Sequence, residues 1–248
     1  MPENDPSPTV VLVHGAFADA GSWGPVTELL QSAGVTVLAP ACPLRGLASD
    51  SAYTASVFAQ IPGPVLAVGH SYGGAVITNA ASIASNVIGL VFVSGFAPEE
   101  NETLGEVEGT SRDSALAPAL MPAQYPSGPN GETATELYVN PAAFNAVFAG
   151  DLPVAQATVF GASQRPVAAA AFEEKSGVPA WKTLPSWAVV ATGDKAAGSD
   201  VLLSMAKRAG AEILELEGSH LIMVSQPQAV TDVILSALRS AGAPRSVG

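Results

Sequence analysis

Ser71, in Gly69-His70-Ser71-Tyr72-Gly73-Gly74, carries the strongest chemical signal in the chain. A short apolar run, Pro64 to Val68, precedes it, and Ala75 to Ala81 after it reads as the start of a packed helix. G-x-S-x-G between a strand and a helix is a nucleophile elbow: the chain turns sharply and the serine takes the strained apex. Gly69 and Gly73 let neighbouring backbone approach without Cβ clashes. The hydroxyl then stands near the positive end of a helix, where developing negative charge is favoured.

A serine hydroxyl needs a base within hydrogen-bond reach. The chain has three histidines, His14, His70 and His220. His70 adjoins Ser71 and in an elbow points away from it. His14 ends the first strand, where a role in shaping the loop is expected. His220, in Glu217-Gly218-Ser219-His220, follows the last strand and precedes the last helix, and position selects it as the base. The base needs a buried acid to fix its tautomer. Asp194, in Thr192-Gly193-Asp194-Lys195, follows the next-to-last strand, giving the nucleophile–acid–base order Ser71, Asp194, His220. Asp200 suits the N-cap of the following helix instead. Glu99 and Glu100, after an earlier strand, mark a second topologically allowed acid position. An oxyanion hole needs two preorganised N–H donors. The backbone amide of Tyr72 supplies one; the loop after the first strand supplies the other, from Ala16 or otherwise Phe17.

These motifs resemble the α/β-hydrolase superfamily over nearly the whole sequence. More narrowly, Val11-Leu12-Val13-His14-Gly15-Ala16-Phe17 with Trp23, and Ser219-His220 followed by Ser225-Gln226-Pro227, are similar to small cofactor-free esterases grouped with plant methylesterases and hydroxynitrile lyases. The resemblance implies ester hydrolysis through an acyl-enzyme, with no cofactor. Lyases of this group carry a threonine after the first-strand histidine and a lysine after the catalytic one. Here those positions are Gly15 and Leu221, which favours hydrolysis. Epoxide hydrolases and haloalkane dehalogenases place an aspartate at the elbow, where this chain has Ser71. A receptor-like homologue with negligible turnover, or a lyase lacking its lysine, is the alternative.

The elements that must position these residues follow from short apolar runs alternating with helix-length segments. Strands are expected over Thr9–Val13, Val35–Ala39, Val65–Val68, Val87–Ser94, Trp187–Thr192 and Ala211–Leu216. Helices are expected over about 22–33, 50–60, 75–84, 200–209 and 228–241, with Pro227 suited to the first turn of the last. This alternation predicts an α/β fold, a mostly parallel sheet covered by helices on both faces. The pattern breaks over residues 97–186, rich in Pro, Gly, Ala and acidic residues. No strong strand is evident there, and helices are expected over Ala142–Phe148 and Val167–Lys175. Residues 1–96 and 187–248 therefore read as the core, with 97–186 an inserted, mainly helical cap. Loops at the carboxyl ends of parallel strands build the site, so the cap should shape the pocket. Phe17 and Trp181 are pocket candidates, Tyr72 and Trp187 weaker ones; Trp187, inside a strand, is expected in the core. Arg45 reads as a structural ion pair or an exposed cation rather than a substrate contact.

A chain of 248 residues with 48% hydrophobic and 13% charged residues can bury a sizeable core as one domain. Its net charge of −12 argues against nucleic acid or an anionic membrane as partner. A small-molecule ester is the expected partner, and a homodimer is left open. Cys42, the only cysteine, excludes a disulfide framework or a cysteine metal site, and no metal ligand set is expected. It lies between Ala41 and Pro43 without a glycine turn, so a buried or loop thiol is expected rather than a nucleophile. The polar N-terminus lacks a signal-peptide pattern and no apolar stretch is long enough to span a bilayer, so a cytoplasmic location is expected.

Overall fold

The computed structural model describes residues 7–241. In chain order the core opens with β1 (Thr9–Val13), α1 (Gly24–Ser32), β2 (Thr36–Leu38), α2 (Leu47–Ala59), β3 (Val65–His70), α3 (Tyr72–Ala81) and β4 (Val87–Val93). Then follow α4 (Leu104–Glu108), β5 (Leu120–Pro126), β6 (Thr133–Val139), α5 (Pro141–Phe148), α6 (Val154–Ser163), β7 (Val167–Ala168) and α7 (Ala170–Glu173). The core closes with β8 (Ser186–Ala191), α8 (Ser199–Arg208), β9 (Glu212–Leu216), α9 (Ile222–Ser225) and α10 (Pro227–Ala241).

Six strands form one sheet in the order β2-β1-β3-β4-β8-β9, every neighbouring pair parallel. Parallel strands need crossover helices, and these cover both faces, so an interior strand can be apolar throughout. Accordingly every residue of β1, β3 and β8 is buried, whereas the edge strands β2 and β9 alternate with exposed positions. From β1 the chain steps outward to β2, then crosses back to β3 on the far side of β1. Right-handed crossovers put α1 on one face and α2 and α3 on the other. Helix contacts agree: α1 packs on α10, and α2 on α3. The direction of winding reverses between β1 and β3. The carboxyl ends of those two strands therefore flank the crevice where ligands bind in such sheets. They carry Gly15-Ala16 and Ser71.

The excursion between β4 and β8 departs from its expected form. It holds more helix than strand, but β5, β6 and β7 pair antiparallel as a separate three-stranded sheet. In the β5–β6 hairpin most positions are half-buried or exposed, without the run of β-branched side chains that signals a strand in sequence. The helix expected over Val167–Lys175 is instead β7 followed by the short α7, and α6 was not anticipated at all. Val167 pairs with Leu137, and Ala168 N–H donates to the Leu44 carbonyl, so tertiary pairing overrides the local helical pattern.

Candidate active site

The elbow at the end of β3 takes the geometry its glycines allow. Ser71 sits at φ 52°, ψ −125°, a backbone region few non-glycine residues adopt. A Cβ on Gly69 would lie 2.4 Å from the Gly73 carbonyl oxygen, and one on Gly73 would lie 2.4 Å from that of Val13. The turn thus closes only where both side chains are absent. The strain is held by hydrogen bonds on either side of the apex. The Ser71 carbonyl accepts from Gly74 N–H at 2.9 Å and Phe96 N–H at 3.0 Å, and Ser71 N–H donates to the Ser94 carbonyl at 3.2 Å.

His220 Nδ1 lies 2.6 Å from Asp194 Oδ2, in a pair almost wholly removed from solvent. The other carboxylate oxygen, Oδ1, accepts the N–H groups of Ala196 at 2.9 Å and Ala197 at 3.0 Å. Both faces of the acid are therefore committed, which fixes its orientation toward the imidazole. His220 Nε2 makes no hydrogen bond among the described residues, and Ser71 Oγ is not yet bonded to it. Such contacts are commonly long before substrate binds.

His70 turns its ring from the apex, as expected, and toward the loop that bears His220. Its Nε2 lies 2.9 Å from the His220 carbonyl oxygen, so it donates there, and the two rings stand 4.6 Å apart. Burial, with the nearby His220 and His14 rings, holds His70 well below the usual histidine range, so it is a neutral donor. Ser219 Oγ donates to Asp151 Oδ1 from the α5–α6 connection. Burial opposes ionisation of Asp151, but its hydrogen bonds, led by Ser219, prevail and lower its pKa. The loop of His220 is thus gripped by the core and by the excursion.

In the loop after β1 the Ala16 and Phe17 amides differ. Phe17 N–H donates to the Arg165 carbonyl at 3.0 Å and is spent. Among the described residues, neither the Ala16 nor the Tyr72 N–H meets a protein acceptor. His14 has the structural role expected of it: Nδ1–H donates to the Gly15 carbonyl, and Nε2 accepts the Cys42 N–H, each at 2.9 Å. Burial lowers its pKa, which keeps that neutral tautomer. The Gly15 carbonyl belongs to the same planar peptide as the Ala16 N–H, and the two point in opposite directions. The carbonyl of the Ser71–Tyr72 peptide is likewise held, by Gly74 and Phe96. Each unpaired amide is aimed by a clamp on the far side of its own peptide.

Aromatic rings cover the histidine. Phe148, at the end of α5, packs edge-on to His220 at 4.6 Å and to Phe17 at 6.0 Å, with Phe144 behind it at 5.0 Å. Phe17 thus belongs to the wall beside the site. Phe148 was missed, although it ends one of the two segments of the excursion expected to be helical. Trp181 is buried and donates its indole N–H to the Pro98 carbonyl at 3.0 Å, with Lys182 over its ring. Tyr72 has no exposed surface, and its hydroxyl donates to Asp50. Trp187 is core, as expected, and bonds Glu212 across β8 and β9. Arg45 forms the structural ion pair, 2.8 Å from Glu136 of β6, and its guanidinium stacks on Tyr125 of β5.

The other acids lie elsewhere. Glu99 pairs with Lys182 at 2.6 Å, which holds its carboxyl below the ordinary range. Asp200 is not the N-cap of α8, a place taken by Gly198. From the first turn it accepts the Ser111 hydroxyl at 2.5 Å and Arg112 N–H at 2.9 Å, fastening the excursion to α8. Burial and the neighbouring Asp50 carboxylate push the Cys42 thiol up to about 12, so it is no nucleophile at neutral pH. No cluster of three or more His, Cys, Asp or Glu side chains that could hold a metal ion occurs among the described residues. No helix among them is long and apolar enough to cross a membrane.

The sheet order, the elbow at the winding reversal and the Asp–His pair beside it define an α/β-hydrolase architecture. The chain belongs to the alpha/beta hydrolase family, whose model matches residues 10–233. Among solved structures it is similar to polyneuridine aldehyde esterase, at 21% identity and TM-score 0.77, covering 94% of this chain and 99% of that one. Tomato methylketone synthase I matches at 23% identity and TM-score 0.75, over 95% of this chain and 99% of its own. A pyrethroid hydrolase from Sphingobium faniae matches at 19% and 0.75, over 94% and 98%. No curated relative matches the sequence.

Proposed function

We propose that this protein is a serine hydrolase that cleaves small to medium, apolar carboxylic esters through an acyl-enzyme. The observation that carries the reading is the buried His220–Asp194 pair next to a serine elbow with two unpaired, clamped amides. His220, its Nδ1 proton engaged by Asp194, takes the Ser71 proton at Nε2 as Oγ attacks the ester carbonyl. The Ala16 and Tyr72 N–H groups stabilise the oxyanion of the tetrahedral intermediate. The imidazolium then protonates the departing alcohol. A water deprotonated by His220 attacks the acyl-enzyme, and collapse of the second intermediate returns the proton to Ser71 and frees the acid.

The aromatic wall of Phe17 and Phe148 supports apolar substrates. Leu221, rather than a lysine, follows the histidine, so no cation is supplied there for a departing cyanide. Two of the similar structures are named as an esterase and a hydrolase, which agrees with this reading.

Hydrolysis of p-nitrophenyl butyrate by the wild type and by Ser71→Ala tests the assignment. Turnover by the wild type that collapses in the variant is expected. Equal rates would place the chemistry elsewhere.

A further inference from the structure

Asp50 lies in the first turn of α2, has no exposed surface and takes no part in the mechanism above. Its carboxylate accepts the Tyr72 hydroxyl at 2.8 Å and Arg45 N–H at 3.1 Å. Reaching back to Arg45 is what an acidic side chain near a helix start commonly does, and it requires no burial. The inward contact does require it. Taking a carboxylate out of water costs several kcal/mol unless hydrogen bonds compensate. The side-chain donor it meets inside is Tyr72, the residue immediately after Ser71.

We propose that Asp50 is a positioning residue for the oxyanion hole, acting through the Tyr72 hydroxyl. The proposal deepens the esterase reading and rests on it. Tyr72 is pinned at both ends of the residue. Its peptide is held by the Ser71 carbonyl bonds to Gly74 and Phe96, and its side chain by Asp50. The backbone of an N-terminal helical residue has no preceding turn to brace it, so the ring tether limits how far the amide can swing. The same carboxylate holds Arg45 N–H, and with it the segment that includes Cys42. Cys42 N–H bonds His14, and His14 bonds the Gly15 carbonyl of the Ala16 peptide. One buried carboxylate thereby joins the supports of both donors. A donor displaced by a fraction of an ångström loses much of its transition-state interaction while substrate binding changes little.

The test compares wild type, Tyr72→Phe, Asp50→Ala and the double variant. Tyr72→Phe keeps the ring and the amide and removes only the tether. Each protein is titrated with a fluorophosphonate probe, whose attack by Ser71 also develops charge toward the amides, and assayed on p-nitrophenyl butyrate per active site. Tyr72→Phe should lower kcat and the rate of labelling about tenfold, with KM within twofold. That is a partial form of the 10²–10³-fold loss seen when a donor is removed outright. The double variant should be no slower than the Asp50 variant alone, because the loss of Asp50 already removes the Tyr72 tether. Tyr72→Phe within twofold of wild type in kcat and labelling rate would overturn the proposal. So would losses that multiply in the double variant, or a lower titratable fraction at unchanged kcat per site, which marks a folding role. A wild type whose Ser71 does not label would instead refute the esterase reading, and the proposal with it.

Discussion

Asp194→Asn separates charge from geometry in a way the hydrogen bonds determine in advance. Oδ1 of Asp194 accepts two backbone N–H groups, from Ala196 and Ala197, and Oδ2 faces His220 Nδ1 at 2.6 Å. An asparagine has one oxygen, and the two amides claim it. Its NH2 group must then point at His220 Nδ1, where it can only donate. The imidazole is forced into the tautomer with its proton on Nε2, and Nε2 can no longer accept the Ser71 proton. The same tautomer reversal in a serine protease lowers kcat about 10⁴-fold, equivalent to about 5.5 kcal/mol at about 1.36 kcal/mol per factor of ten. A loss of that order is expected here, with KM little changed and the fold intact, since the amide is isosteric with the carboxylate. Initial rates on p-nitrophenyl butyrate give kcat and KM, and urea unfolding monitors the fold. A kcat within tenfold of wild type would show that Asp194 does not set the tautomer of the base, and the triad as assigned would fail.

Two further outcomes concern the interior. His14 and His70 both have pKa values lowered from 6.5 in the folded chain, chiefly by burial, so below pH 6.5 the unfolded chain binds protons that the folded one refuses. Their contribution to stability is present above pH 6.5 and is lost as pH falls toward the folded-state values. Urea unfolding should therefore give up to about 2.5 kcal/mol less stability at pH 5.5 than at pH 7 from these two groups; stability that stays flat or rises would contradict their neutral burial. Phe148→Ala should cost about 3–5 kcal/mol, as for other buried phenylalanines, and reduce kcat by loosening the His220 ring. A urea midpoint close to wild type would show that the α5 ring is not packed into the interior.

The core and its site were legible because both rest on local rules. Apolar runs of strand length, each followed by a helix, lead to the parallel sheet. The elbow glycines state their own requirement, since a Cβ on either would collide with backbone. His220 and Asp194 were found because chain order and strand ends restrict where a base and its acid can stand. What escaped was set by contacts distant in sequence. The Ala16 and Phe17 amides are told apart only by the Arg165 carbonyl, nearly 150 residues onward, which takes the Phe17 N–H. The β5–β6–β7 sheet escaped because β5 and β6 are largely half-buried or exposed, without hydrophobic alternation strong enough to outweigh Pro and Gly, and β7 is only two residues long. Asp50 gave a faint signal, one carboxylate in the otherwise uncharged α2. Nothing in the sequence says that it turns inward to Tyr72.

The excursion between β4 and β8 is fastened to the candidate site. It touches the candidate site at three points, one on the loop after β1 and two on the His220 loop. The Arg165 carbonyl binds Phe17 N–H on the loop after β1, Phe148 packs on the imidazole, and Asp151 accepts Ser219 beside it. Two of these contacts come from one short stretch at the end of α5, and both fall on the His220 loop. A displacement of α5 by substrate would therefore move the base as well as the pocket wall. The amides are held differently, with Ser71 and Gly15 carbonyls tied to the core by Gly74, Phe96 and His14. The two unpaired amides are thus held at the carboxyl edge of the sheet, and the His220 loop is braced from both sides, by His70 of the core and by Asp151 of the excursion.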